Sequence, residues 1–131
     1  MTAGKVLKKN TGVGSMERRI EIELKEYCVD TPYDKQVFVN GEHCFNLLMT
    51  CECCPEQYDL LSVRDMSEVA YFRLRWSSFT VECPSSWGEC VYRNDIGDGF
   101  DGCFENDKQR ETEIKNALKE VIKWCIANNK L

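Results

Sequence analysis

The sequence predicts an α+β domain: an antiparallel sheet of about five or six strands with a long C-terminal amphipathic helix packed on one face. Three observations lead there. Ile20, Ile22 and Leu24 alternate with Glu21, Glu23 and Lys25, the period-two pattern of a half-buried strand. Asn40-Gly41 follows the β-rich run Gln36-Val37-Phe38-Val39, and Asn-Gly marks a hairpin because both residues tolerate the positive φ of a type I′ turn. Ile114, Ala117, Leu118, Val121, Ile122 and Cys125 recur at three- and four-residue spacing, one apolar stripe along a helix. A sheet with one apolar face and a helix with one apolar stripe bury each other.

The remaining elements follow in order. Asp30-Thr31-Pro32-Tyr33-Asp34 has loop chemistry. The segment His43 to Met49 is open between the return strand of the hairpin and a short helix, since Phe45, Leu47, Leu48 and Met49 lie close together. Ala70, Phe72, Leu74 and Trp76 alternate with Tyr71, Arg73 and Arg75, which reads as a strand. Ser77-Ser78 breaks it, Phe79 to Cys83 gives another, and Glu89 to Arg93 a further one beyond the loop Pro84-Ser85-Ser86-Trp87-Gly88. Links this short require antiparallel neighbours. The helix is expected from Asp107 to about Asn128, opened by a capping box of Asn106 and Gln109.

With 131 residues, of which 43% are apolar, the chain builds one core and is short for two. Met1 to Ser15 has three lysines, three glycines and no periodicity, so it reads as a flexible basic tail, an upstream extension or an expression remnant. Residues 16–131 are expected to form a single domain. No apolar run approaches the ~20 residues of a membrane span. The basic amino end lacks an apolar stretch and a small-residue cleavage site, which places the chain in the cytoplasm.

Nine cysteines are present, and HCFNLLMTCECCPE sets the single histidine, His43, beside four of them. A reducing cytoplasm and an odd count make disulfides the least favoured reading. Buried thiols that pack as small hydrophobes are the leading one. The competitor is a zinc module using Cys51, Cys53, Cys83 and Cys90, with His43 or Cys54 as alternates. Cys51 and Cys53 project to one side of an extended segment, and Cys83 and Cys90 flank a turn across which they could face each other. Otherwise no cofactor is expected.

Gly97-Asp98-Gly99-Phe100-Asp101-Gly102 matches G-x-G-x-x-G, but its two carboxylates would meet the pyrophosphate that motif serves. As a calcium loop, Asn94 to Glu105 has Ile96 at the third position and a strand where the entering helix belongs. The stretch reads as an acidic turn. No nucleophile elbow, phosphate loop or H-E-x-x-H helix occurs, and His43 and Cys44 point apart on a strand. No catalytic residue is named, and a thiol enzyme stands only as a third class.

The formal charge is −5, yet Met1 to Arg19 carries five basic residues against Glu17, so the remainder is more acidic still. Asp95, Asp98, Asp101, Glu105 and Asp107 cluster ahead of the helix. Such a surface repels nucleic acid and attracts basic proteins. Tyr27, Tyr33, Tyr58 and Trp87 fall in expected loops or strand ends, where aromatic side chains serve as contact anchors. The expected partner-binding set is Asp95, Asp98, Asp101, Glu105, Trp87 and Tyr33. The expected function is a non-enzymatic protein-binding domain that holds a basic protein.

IEIELKEYCVDTPYDKQVFVNG, Ile20 to Gly41, resembles the opening of small uncharacterised bacterial proteins with a strand, a Pro-Tyr-Asp turn and a V-x-V-N-G hairpin. A compact acidic α+β domain without catalytic residues is also similar in style to the immunity proteins that neutralise bacterial toxins. That resemblance implies an inhibitor of a basic toxin or nuclease.

Overall fold

A computed structural model describes residues 19–28, 33–52, 55–97 and 102–130. The tail expected at residues 1–15 lies outside them. Among the described residues seven strands run as an antiparallel meander: β1 (Ile22–Glu26), β2 (Lys35–Val39), β3 (Glu42–Cys51), β4 (Glu56–Ser62), β5 (Glu68–Arg75), β6 (Ser78–Cys83) and β7 (Glu89–Asp95). Helix α1 (Asp107–Ala127) follows. No described helix is long and apolar enough to cross a membrane.

Local chemistry sets most of these boundaries. Asn40 and Gly41 both have positive φ, 50° and 88°, so the β2–β3 link is the two-residue left-handed turn the sequence predicts. His43 to Met49 resolves as strand: Phe45 and Leu47 are fully buried on β3. Strand β4 is an addition to the five or six expected. Its burial alternates strictly, but the inward positions are Glu56, Tyr58, Leu60 and Ser62. Two polar residues on the core face hide the period-two signal from the text. Trp76, expected to continue the inward row of β5, instead occupies a turn at φ 55° and is 63% exposed.

Helix α1 starts where its cap dictates. Asn106 Oδ1 accepts the Gln109 backbone N–H at 2.8 Å. Gln109 Oε1 reaches back to the Glu105 N–H, at 2.6 Å, rather than to Asn106, a one-residue departure from the expected box. At the other end Asn129 is left-handed at φ 56°, and the Lys130 N–H returns to the Cys125 carbonyl at 2.8 Å. That is a Schellman closure with Asn in the glycine position. Ile114, Ala117, Leu118, Val121, Ile122 and Cys125 are all buried, as the stripe predicts.

The backbone of α1 approaches β7 and β6 on one side and β1 on the other, so the sheet curls toward the helix at both edges. Between them lies one core, including Val37, Phe45, Leu47, Tyr58, Leu60, Phe72, Leu74, Phe79 and Val81. Two buried carboxylates pin the helix to the sheet. Glu113 accepts from Tyr92 Oη at 2.9 Å and Asn94 Nδ2 at 3.0 Å. Glu56, with no exposed surface, accepts from Tyr58 Oη, from the Phe104 N–H at 3.2 Å and from Arg110 Nε at 2.7 Å. Its own N–H donates to the Gly102 carbonyl at 2.8 Å. Every direction around that carboxylate is filled, as burial of a charge demands.

Candidate functional site

Since α1 covers one face of the sheet, the side chains at alternate positions point the other way, and no described element covers them. Cross-strand register arranges them in rows. Asp59, Tyr71 and Glu82 lie opposite one another across β4, β5 and β6. The next row toward the β5–β6 turn holds Gln57, Arg73, Thr80 and Arg93, and the one beyond it Arg75, Ser78 and Asp95. The outer face is therefore two-signed, with carboxylates on one half, arginines on the other and Tyr71 at the join.

Each half carries its own electrostatic mark. Burial raises the pKa of Glu68, and the neighbouring Asp59, through its charge and a hydrogen bond, raises it further. Burial also raises the Tyr71 phenol; the Arg73 charge opposes this, and Asp59 and Glu82 add to it. On the basic half Arg93 Nε meets Asp95 Oδ1 at 3.4 Å. The Arg75 guanidinium lies 5.8 Å from the centre of the Trp76 ring, within cation–π range.

A tryptophan stands at each end. Trp76 and Ser77 form the β5–β6 turn with φ of 55° and 60°, held by the Ile96 N–H on the Ser77 carbonyl at 2.6 Å. Trp87 is 93% exposed in the β6–β7 loop, with φ 72°, and its N–H donates to Glu82 Oε1 at 2.9 Å. A Cβ on the next residue, Gly88, would collide with the Cys83 carbonyl, so the loop closes only with glycine there. Positive φ is costly for a bulky residue. Both turns hold an aromatic ring in solvent at a conformational cost that Asn or Gly would avoid.

Of the expected partner-binding residues, the four that are described, Asp95, Glu105, Trp87 and Tyr33, are not brought together. Trp87 is at one end of β7 and Asp95 at the other, with Glu105 exposed beside the helix start. Asp98 and Asp101 lie outside the described residues. Tyr33 is half-buried, its ring 4.6 Å from the Arg110 guanidinium, in a cleft of about 380 Å³ that also takes in Leu24, Lys35, Asp107 and Glu111. Tyr58, expected as an anchor, is fully buried, because it sits on the inward row of the unforeseen strand β4. Tyr27 is 44% exposed. The acidic reading missed Asp59, Tyr71, Arg73, Arg75, Trp76 and Arg93. The outward alternation of Tyr71, Arg73 and Arg75 was the one signal in the sequence that pointed to them.

The zinc set does not assemble among the described residues. Cys83 pairs with Glu89 and Cys90 with Glu82, so Cys83 is buried and Cys90 exposed on the opposite face. The expected view across the turn is thereby corrected. Cys51 is half-buried on β3, and Cys53 and Cys54 lie outside the described residues. His43 stacks on Phe38 at 5.0 Å and its Nε2 lies 2.8 Å from Asn46 Oδ1. No group of three or more His, Cys, Asp or Glu among the described residues could hold a metal ion. The reading of disulfides as least favoured is also corrected, since Cys103 is disulfide-bonded. The hydrogen bonds of Gly102 and Phe104 to Glu56 lay its segment along the start of β4, a long-range contact that cysteine spacing does not reveal.

The buried thiols behave as packing groups. Burial pushes Cys83 up to about 12 and Cys125 up to about 11, and it raises Cys44 as well. A nucleophilic cysteine requires the opposite shift. Neither a family model, nor a curated protein, nor a solved structure matches this chain.

Proposed function

We propose that the chain is a non-enzymatic protein-binding domain, of the immunity or inhibitor kind, that docks its partner on the outer face of β4 to β7. The observation that carries this reading is the pair of tryptophans held in left-handed turns at the two ends of a two-signed surface. Tryptophan, tyrosine and arginine dominate the energetic centres of protein interfaces. A fold that keeps two such rings in solvent at backbone cost has a use for them.

The partner is proposed to be a basic protein whose cations meet Asp59, Glu68 and Glu82 beside Trp87. A net charge of −5 steers it there. This reading uses the carboxylates of the sheet; the acidic loop before α1 lies partly outside the described residues. A cytoplasmic setting suits the free thiols of Cys28, Cys44, Cys83, Cys90 and Cys125, and the Cys103 disulfide is the bond a reducing compartment would open.

The tagged chain, expressed in its source cell, is expected to co-purify with a basic protein. Trp87→Ala and Glu82→Gln should each weaken that complex by about tenfold or more, and association should slow as salt rises. A complex unaffected by both variants, in proteins that melt like wild type, would remove this face from the account. A salt-insensitive rate would remove its electrostatic part.

A further inference from the structure

The arginine half of the outer face contains an open groove of about 470 Å³, lined in part by Arg73, Arg75, Trp76, Ser78, Thr80 and Arg93. That volume is in the range of small-ligand sites. Among the described residues the groove's one ion pair is Arg93 with Asp95. Among the described residues that line it, three guanidinium groups stand against the one Asp95 carboxylate, two positive charges in excess, in a chain whose net charge is −5. Crowding like charges costs Coulomb energy that an anion would offset. Thr80, paired across the strands with both Arg73 and Arg93, adds a hydroxyl to the same lining.

We propose that this groove binds a phosphate monoester carried on a planar ring, in chemical class a nucleoside monophosphate. The phosphate dianion matches the excess charge, since a monoester carries about −1.5 to −2 at neutral pH. Its three terminal oxygens suit planar guanidinium forks and the Thr80 hydroxyl. A carboxylate has one charge and two acceptor oxygens, and would leave both the charge and the donors in surplus. Trp76 supplies the ring contact: its indole is exposed at the mouth of the groove, already lies against Arg75, and offers a face on which a base stacks. Asp95 is the opposing charge in the groove, and its pairing with Arg93 keeps it from facing the phosphate alone. The inference needs no protein partner.

Isothermal titration of the full chain with adenosine 5′-monophosphate, adenosine and inorganic phosphate tests it. The nucleotide is expected to saturate and to bind about tenfold or more tighter than either fragment. Arg73→Ala and Arg93→Ala should each lower its affinity by about tenfold or more, and Arg73→Lys by less, because charge without the fork is retained. Trp76→Ala should bring the nucleotide down to the level of inorganic phosphate. Melting curves of these surface variants should follow wild type. Trp87→Ala and Glu82→Gln, which test the docking reading, should leave nucleotide affinity unchanged. No saturation below about 10 mM, adenosine binding as well as the nucleotide, or unchanged affinity in both arginine variants would overturn the proposal. Phosphate binding as tightly as the nucleotide would remove the ring contact and, with it, the ligand class.

Discussion

At the scale of single residues the fold depends on a buried carboxylate. Glu56 has no exposed surface and meets Tyr58, Arg110 and the Phe104 N–H at once. Burial acts to lower the Arg110 pKa and Glu56 outweighs it, so the guanidinium is held more firmly charged. Removing the carboxylate strands that cation against the core. Glu56→Ala should therefore cost ~3 kcal/mol or more, read as a fall of about 10 °C in Tm. A loss under ~1 kcal/mol would show that Arg110 re-pairs with Asp107 and that the carboxylate is dispensable.

The core thiols give a pH dependence whose sign is fixed. Cys83 and Cys125 are raised by burial from 9.0 to about 12 and about 11, so the native state keeps protons that the unfolded chain releases. Their contribution is complete below pH 9.0 and is lost as the pH rises toward those raised values. The fall is up to about 1.4 kcal/mol per pH unit for each thiol. Urea midpoints should be level near neutrality and drop steeply above pH ~9, and Cys125→Ala should flatten part of that drop. A midpoint that held to pH ~11 would mean the thiols ionise without unfolding the core.

At the scale of elements, what could be read from the sequence was what is local. The α1 stripe, its Asn106 cap and the Asn40-Gly41 turn depend on residues a few positions apart, and each stands where the text puts it. Strand β4 was not legible, because its core-facing positions include Glu56 and Ser62, and irregularities at Met49/Cys51 and Leu60/Leu61 interrupt the register on both sides. The β5–β6 turn is the element whose sequence opposes its geometry. Replacing Trp76 by Asn, which tolerates φ of 55°, should stabilise the protein by ~0.5–1 kcal/mol in urea titration while weakening ligand and partner binding. If stability fell instead, Trp76 would be a packing residue and the turn no sign of function.

At the scale of the whole molecule, the candidate site was visible only in fragments. Trp87 and the outward row of β5 can be read directly. That Arg73 and Arg93 share a row, or that Asp59, Tyr71 and Glu82 do, follows from strand order and register, which no local pattern encodes. The same topology sets apart Asp95 and Glu105, the two acidic residues of the expected binding set that are described ahead of α1. Asp95 is drawn to Arg93 on the sheet, whereas Glu105 stays with the helix cap. One helix closes one side of a curled meander, and we propose that the opposite side, which no described element covers, docks the partner.

A chemical-shift map of the isotope-labelled chain, titrated with the basic protein that co-purifies with it, tests that assignment most directly. The account predicts perturbations concentrated at Asp59, Glu68, Tyr71, Glu82 and Trp87. Perturbations confined to the exposed side of α1, or to the cleft around Tyr33 and Lys35, would contradict it.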